Sequence, residues 1–268
     1  MLDLGMTQED ARTCNITGCY EYIPKGKGNA TAAGHLNMLK LFETIFHDGV
    51  DPATGVKCSC ERKLKLPEID SFEKFYAEYI RQADHVIEMI ITCANDFEQY
   101  LGEINPANVY SATVVNSLKE AKDAFFNGCV HNLSMILNSG FATAVDALMM
   151  VKEYVYDKRE MSLTDLKSVL DDNWEGHEKL RLKVLRNKNK FGNGVKDVDQ
   201  LANRLATHLA ETINKRPNAP ARGGFYLSSV HNARQFIIQG AKTGATPDGR
   251  LAGQEFSKNI SPTMGMDT

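Results

Sequence analysis

Near the N-terminus the chain reads Gln8-Glu9-Asp10-Ala11-Arg12-Thr13-Cys14-Asn15-Ile16-Thr17-Gly18-Cys19-Tyr20-Glu21-Tyr22. Within it, Cys19 and Glu21 stand two positions apart, directly behind Gly18. Helix breakers follow at once: Pro24, Gly26 and Gly28. Breakers at this density predict that the pair lies on a loop. In an extended loop alternate side chains face the same side, so Cys19 and Glu21 can present a thiol and a carboxylate to one small molecule.

The segment Gly18-Cys19-Tyr20-Glu21 resembles the cysteine loop of glycyl radical enzymes, the superfamily of pyruvate formate-lyase and its dehydratase, lyase and decarboxylase relatives. The family motif is Gly-Cys-x-Glu, usually with Val at the position of Tyr20. Three further stretches resemble family motifs in the same order along the chain. They are His47-Asp48-Gly49-Val50-Asp51-Pro52-Ala53-Thr54-Gly55; Gly140-Phe141-Ala142-Thr143-Ala144-Val145-Asp146-Ala147-Leu148 with Leu170-Asp171-Asp172-Asn173-Trp174-Glu175-Gly176; and Thr243-Gly244-Ala245-Thr246-Pro247-Asp248-Gly249-Arg250 with Ser261-Pro262.

The resemblance implies an α/β fold. Members of the family form a ten-stranded barrel ringed by helices, and this chain would supply a helix-rich part of it that carries the cysteine loop. Within residues 1–268 we expect the cysteine loop at 8–28, a helical region at 29–215, and a strand and loop region at 216–268. Family members are several hundred residues longer and carry a C-terminal glycyl radical domain. We therefore expect this chain to be a piece that lacks that domain and has no turnover alone.

The resemblance also implies the chemistry. Cys19 would carry a transient thiyl radical, because an S–H bond is close in strength to an activated C–H bond and hydrogen exchange can run both ways. Glu21 would act as the base, which requires a partly buried carboxylate. The substrate would be a small hydroxylated molecule that undergoes dehydration or another elimination. No cofactor or metal would be bound, and a radical-SAM activase would install the glycyl radical in a protein that is a homodimer at full length.

Two alternatives stay open at this point. One is a glycyl radical decarboxylase of the arylacetate type, whose members share Gly-Cys-x-Glu. The other is an inactive fragment of a split gene. Pyruvate formate-lyase itself carries two adjacent cysteines, whereas Gly18 and Tyr20 flank Cys19 here, so that activity is not expected.

Composition excludes several other classes of protein. The chain is 43% hydrophobic and 24% charged, with a formal net charge of -3, which is ordinary for a globular protein and gives no basic surface for nucleic acid. No stretch approaches the ~18 apolar residues that a membrane span needs. The N-terminus has no signal-peptide pattern. We therefore expect a cytoplasmic protein of anaerobic metabolism, with its six cysteines as free thiols.

Hydrophobic periodicity predicts a helix-rich chain with two strands. Residues 1–28 are expected to be loop, and Asn29 or Thr31 is expected to cap a helix that reaches Phe46. The clearest helix runs from Asp70 to Gly102. Further helices are predicted at 106–126, 142–156, 162–173, 175–187 and 198–213, and strands at 129–137 and 225–230.

Other residues with chemical potential receive structural interpretations. Cys58 and Cys60 are too close in sequence, and too isolated from other ligands, to indicate a metal site. The glycine-rich segment 244–249 lacks the Gly-Lys-Ser/Thr ending of a phosphate loop and is interpreted as a turn. Structural roles are also expected for three histidines and two cysteines: His35, His131, His231, Cys14 and Cys129.

Overall fold

The computed structural model of the protein describes residues 2, 5–17 and 21–263. The chain forms two compact units, each assembled from three separate segments. Unit 1 comprises Met1–Gly34, Glu88–Leu137 and Ala210–Ser229. Unit 2 comprises His35–Ile87, Asn138–Leu209 and Val230–Thr268.

Unit 1 contains strands and several short helices. Some elements have residues in both units. In chain order its elements are α1 (Gln8–Arg12), β1 (Cys14–Thr17), β2 (Glu21–Pro24), β3 (Gly28–Asn37), the second part of α3 (Phe72–Glu98), α4 (Leu101–Ile104), α5 (Asn108–Ser111), α6 (Val115–Glu120), a π-helical turn at Ala124–Gly128, β4 (His131–Ser139), the end of α10 (Lys196–Ile213) and β5 (Phe225–Ser229).

Strands β3, β4 and β5 form one sheet in that order, and β4 pairs with β5 in parallel. Leu133 lies opposite Phe225, and Met135 lies opposite Leu227. Both predicted strands, at 129–137 and 225–230, are therefore confirmed. Aliphatic and aromatic residues in both strands, with Gly140 after β4 and Gly224 before β5, suit a parallel pair.

The predicted helix from Asn29 or Thr31 to Phe46 is wrong in its first half, where the chain forms β3. Helix α2 (Lys40–Phe46) begins only after it. The two presumed caps are used elsewhere: the Asn29 amide donates to the carbonyl of Ala124 over 2.9 Å, and the Thr31 hydroxyl accepts from Arg222 over 2.6 Å. A tertiary network therefore overrides the local capping signal.

That network centres on Arg222, which is fully buried. Its Nη2 also donates to Asn29 Oδ1 over 3.0 Å and to the carbonyl of Leu133 over 3.1 Å, so one guanidinium joins β3 to β4. Its Nε lies 3.6 Å from Glu98 Oε1, and the Glu98 carboxylate accepts from Ser134 over 2.7 Å. A buried ion pair of this kind is costly to break, because the partner left behind is an uncompensated charge.

The chain must approach itself closely beside this network. A Cβ added at Gly224 would lie 1.7 Å from the carbonyl oxygen of Asn132, which is backbone and cannot yield. A Cβ at Gly34 would lie 2.4 Å from the side chain of Ile90 on α3. Glycine at both positions lets the strands and the helix come into contact.

Unit 2 is mainly helical. It contains the end of β3, α2, a 3₁₀ turn (Leu66–Glu68), the first part of α3, the end of β4, α7 (Phe141–Met150), a π-helical turn (Val151–Asp157), α8 (Leu163–Asp171), α9 (Glu178–Leu185), most of α10 and α11 (Gln235–Gly240). The helices predicted at 142–156, 162–173, 175–187 and 198–213 are confirmed, with ends that differ by a few residues.

Helix α3 confirms the strongest helix prediction, at Phe72–Glu98 rather than Asp70–Gly102. Its cap is Ser71, whose hydroxyl accepts from Lys74 N over 3.4 Å. In unit 2 its apolar face packs on α2: the ring centroids of Phe42 and Tyr79 are 5.1 Å apart. The amphipathic spacing makes the helix predictable from local sequence, and packing of its apolar face stabilises it.

The single helix predicted from Pro106 to Phe126 is instead three short pieces: α5, α6 and the π-helical turn. Ala121 adopts a left-handed conformation (φ 51°) and ends α6. The Asp123 carboxylate then accepts from Ala107 N over 2.6 Å, which folds the segment back on itself. A side-chain bond across sixteen positions is invisible to a helical-periodicity argument.

Unit 2 holds a carboxylate in an unfavourable setting. Asp146 is fully buried, and burial raises the pKa of Asp146 to about 7, against the opposing effects of Lys190 and of a 2.7 Å hydrogen bond from Phe191 N. The folded state therefore binds a proton that the unfolded state releases above its ordinary pKa of 3.8. Stability contributed by this group falls as pH rises from about 4 to about 7 and is level above that.

We therefore expect the free energy of unfolding of the wild type to fall by roughly 2–3 kcal/mol between about pH 5 and pH 7 through Asp146 alone. In Asp146→Asn this fall disappears, because the amide does not titrate. Urea unfolding at the two pH values measures it, with Asp70→Asn as the control: Asp70 is exposed and its pKa is lowered by Lys74. An unchanged pH slope in Asp146→Asn would contradict the assignment.

Candidate active site

The segment around Cys19 and Glu21 is a β-hairpin of unit 1. Strands β1 and β2 pair antiparallel, and Thr17 lies opposite Glu21. Gly18, Cys19 and Tyr20 connect them and lie outside the described residues, so the predicted common side of Cys19 and Glu21 stays a prediction. The prediction that residues 1–28 are loop is wrong for α1, β1 and β2.

Local chemistry explains this hairpin. The Thr7 hydroxyl accepts from Asp10 N over 3.1 Å and caps α1, a signal present in the sequence. After β2 the chain reverses at Gly26, whose φ is 68°, and Lys27 N donates to the carbonyl of Pro24 over 3.1 Å. The breakers that predicted a loop therefore mark the turn that ends the hairpin.

One buried carboxylate lies at the base of the hairpin. Asp10 accepts from Lys27 Nζ over 2.5 Å and lies 3.2 Å from His131 Nε2. The bond from Lys27, followed by that from His131, lowers the pKa of Asp10, and the same carboxylate raises the pKa of Lys27. His131 therefore has the polar structural role that the sequence suggests. Burial raises the pKa of the Cys14 thiol, which donates to the Asp10 carbonyl over 3.3 Å.

Glu21 lines a cavity of about 160 Å³ in unit 1. Glu21 is half-buried as a residue, and its role as a base stays a prediction. Beside it the wall is mainly apolar, and the hydroxyl-bearing residues are Tyr22 of β2 and Ser228 and Ser229 at the end of β5. The lining residues are Met6, Glu21, Tyr22, Ala30, Leu133, Met135, Phe225, Leu227, Ser228 and Ser229.

The cavity lies on the face of the sheet opposite the Arg222 network. Side chains alternate along a strand, so Leu133 faces the cavity while Ser134 bonds Glu98. In the same way Leu227 faces the cavity, and Tyr226 donates to Asn95 Oδ1 over 2.8 Å behind it. Sequence reasoning found the two strands but missed their cavity-facing residues. The signal that could have identified them is this alternation, once Glu21 is placed beside one face.

The described cysteines are free thiols, as predicted: Cys14, Cys58, Cys60, Cys93 and Cys129. Two of them accept hydrogen bonds, Cys60 from Arg81 over 2.9 Å and Cys129 from Asn29 over 3.2 Å. Among the described residues, no group of three or more His, Cys, Asp or Glu side chains could hold a metal ion. In the same described part of the chain, no helix combines the length and the apolarity needed to cross a membrane.

Three of the stretches that carry the family resemblance meet around a second cavity, of about 290 Å³, in unit 2. His47 and Pro52 come from the first stretch, Asp171 and Asn173 from the second, and Gly244 and Ala245 from the third. Glu43 accepts from Gly244 N over 2.7 Å and ties α2 to the third stretch. His47 Nε2 lies 3.0 Å from Asp171 Oδ1. Segment 244–249 is the predicted turn, with Gly249 at φ 94°.

Comparison with known proteins agrees with this architecture. Residues 1–236 match the family described as pyruvate formate lyase-like. The trans-4-hydroxy-L-proline dehydratase of Clostridioides difficile is 28% identical over 100% of this chain and 34% of its own length. The (2S)-3-sulfopropanediol dehydratase of Klebsiella oxytoca is 27% identical over 98% of this chain and 32% of its own length.

A solved structure shows the same fold. The hydroxyproline dehydratase from Clostridioides difficile, with trans-4-hydroxy-L-proline bound, superposes on this chain with a TM-score of 0.92 at 27% identity, covering 100% of this chain and 34% of that one. The chain thus spans about a third of the length of these relatives. Its helices and strands are part of an α/β barrel, as the sequence predicts. The chain belongs to the pyruvate formate lyase-like family of glycyl radical enzymes.

Proposed function

We propose that this chain supplies the cysteine-loop part of a glycyl radical enzyme that eliminates a leaving group from a small hydroxylated substrate. The observation that carries the proposal is the position of Glu21, half-buried in the wall of a cavity and paired with Thr17 across the hairpin that contains Cys19. Two peptide units separate Cys19 from Glu21, so their Cα atoms are at most about 7 Å apart. A substrate beside Glu21 is therefore within reach of both.

In the proposed reaction, a thiyl at Cys19 takes a hydrogen atom from the carbon that bears the substrate hydroxyl. The S–H bond forms, and the substrate becomes a hydroxyalkyl radical, which is far more acidic than the parent alcohol. Glu21 then takes the hydroxyl proton, and the resulting ketyl radical expels the group on the neighbouring carbon. The product radical takes the hydrogen atom back from Cys19, which leaves a carbonyl compound and the released leaving group.

The same proposal covers the source of the radical, the oligomeric state and the location of the longer protein. A glycyl radical in another domain of the protein supplies the unpaired electron, and a radical-SAM activase installs it. The longer protein is a homodimer in an anaerobic cytoplasm, and residues 8–28 are its cysteine loop. The similarity to two dehydratases supports elimination, and the decarboxylase alternative stays a second candidate, because the indoleacetate decarboxylase of Tractidigestivibacter scatoligenes is 26% identical over 99% of this chain.

The size and lining of the cavity support a small substrate. About 160 Å³ holds roughly five water-sized groups. The apolar wall from β4 and β5 would exclude water from the radical intermediates, which is one way in which enzymes prevent side reactions. The polar side chains that can orient a hydroxylated molecule are those of Glu21, Tyr22, Ser228 and Ser229.

The test is product analysis of the radical-loaded enzyme that carries this chain, incubated without oxygen with small molecules that bear a hydroxyl next to a leaving group. We expect a carbonyl product, detected as its hydrazone, in one-to-one ratio with the released leaving group. An arylacetate panel run in parallel detects the alternative as released CO₂. Release of CO₂ from that panel, with no carbonyl product from the hydroxylated one, would contradict the proposal.

A further inference from the structure

We propose that Asp10 is a positioning residue for the Cys19–Glu21 pair: its carboxylate fastens the hairpin to the first residue of β4. The role in catalysis rests on the function proposed above, whereas the anchoring itself can be tested separately. Asp10 acts through Lys27, which follows the hairpin, and through His131, which opens the strand that lines the cavity.

Two side chains contact the Asp10 carboxylate, one at each oxygen. Asp10 Oδ1 accepts from Lys27 Nζ over 2.5 Å, and Asp10 Oδ2 lies 3.2 Å from His131 Nε2. Backbone hydrogen bonds join the same two segments: Val130 N and His131 N donate to the carbonyl of Lys27 over 2.8 and 3.1 Å. Helix α1, the end of the hairpin and the start of β4 therefore meet at Asp10.

Burial makes the contacts of Asp10 with Lys27 and His131 stronger than a surface ion pair. The side chain of Asp10 is 6% exposed and that of His131 is 12% exposed, whereas Lys27 reaches the surface at 36%. A carboxylate removed from water needs partners for both oxygens, and here each oxygen has one. Such charge-assisted bonds in a partly buried site are worth more than exposed ones.

Strands β1 and β2 are connected to Asp10 in different ways. Strand β1 begins two residues after α1, and the Cys14 thiol donates to the Asp10 carbonyl over 3.3 Å. Strand β2 ends at the turn before Lys27. The ladder between them runs up to Thr17 and Glu21. A shift at the base of the hairpin is therefore carried by both strands to the residues that flank Cys19.

Hydrogen exchange of the full chain tests the anchoring. In Asp10→Asn, loss of the charge-assisted bonds should speed exchange of the β1 and β2 amides roughly tenfold or more, while the amides of 133–137 in β4 keep their protection. Asp10→Glu, which keeps the carboxylate, should restore most of the protection. Asp84→Asn is the matched control, since it removes an aspartate 2.7 Å from a histidine in unit 2.

Turnover of the radical-loaded enzyme tests the catalytic consequence. Asp10→Asn should lower kcat by about 10²-fold, as misplacement by about 1 Å can, with KM and glycyl radical content unchanged. Equal acceleration of exchange in the hairpin and in 133–137, or no acceleration in either, overturns the anchoring. A wild-type kcat in a variant whose hairpin is loosened overturns the catalytic role. If the wild-type enzyme itself has no turnover, the proposed function fails and the exchange result alone decides whether Asp10 is the anchor.

Discussion

Cys19→Ser is expected to abolish turnover in the radical-loaded enzyme. The O–H bond of serine is too strong to exchange a hydrogen atom with an activated C–H bond, so no other group can replace the thiol in the radical step. The substitution changes one atom and leaves the size of the side chain nearly the same. We therefore expect the glycyl radical content, measured by electron paramagnetic resonance, to stay at the wild-type level while product formation falls below detection.

The control for this variant is Cys93→Ser, which replaces an exposed cysteine on α3. It should retain wild-type turnover, because surface substitutions away from special features usually have small effects. Residual product formation by Cys19→Ser above that of enzyme without the glycyl radical would remove Cys19 from the mechanism. A loss of glycyl radical in the same variant would show instead that the substitution acts on the domain that stores the radical.

Glu21→Gln is expected to slow turnover by about 10²–10⁴-fold, the usual contribution of general-base catalysis, without abolishing it. Glutamine has the shape of glutamate but cannot take the hydroxyl proton. The hydroxyalkyl radical would still form and would then lose its leaving group without help from the enzyme. The measurement is kcat together with radical content, which should stay unchanged.

Glu9→Gln is the matched control for Glu21→Gln. Glu9 lies in helix α1 of the same unit and is exposed, so its substitution should leave kcat unchanged. If Glu21→Gln turns over at the wild-type rate, the carboxylate is not the base and elimination through this pair is wrong. The two variants thus separate the radical step from the proton transfer: one removes turnover completely, and the other slows it.

The sequence predicts the long amphipathic helices and strands β4 and β5 well, because their signals are local. In α3 the apolar residues recur at the helical period, and Ser71 stands at its start. Strand β5 follows a glycine pair and is short, aromatic and apolar. The family resemblance predicts Cys19 and Glu21 as the catalytic pair, and of the two only Glu21 lies in the described part of the chain.

What the sequence could not reveal depends on residues far apart in the chain. Asn29 is of a residue type that often caps helices, yet its hydrogen-bond partner Arg222 is 193 positions away. The cavity needs the hairpin and strands β3, β4 and β5 together before Leu133 or Phe225 can be recognised as lining it. The base of the hairpin is hidden for the same reason, since Asp10 and His131 are 121 positions apart. Local propensity carries no information on such pairs.

The alternation in β4 has a consequence for how this family can diversify. Residues that face the cavity and residues that hold the Arg222 network occupy alternate positions of one strand, as Leu133 and Ser134 show. Point substitutions at cavity positions can therefore reshape the cavity while the ionic framework stays in place. Insertion or deletion of a single residue would exchange the two sets, placing the framework in the cavity and the apolar wall against Glu98. Drift in substrate preference along this strand should accordingly proceed by replacement of residues, with its length preserved.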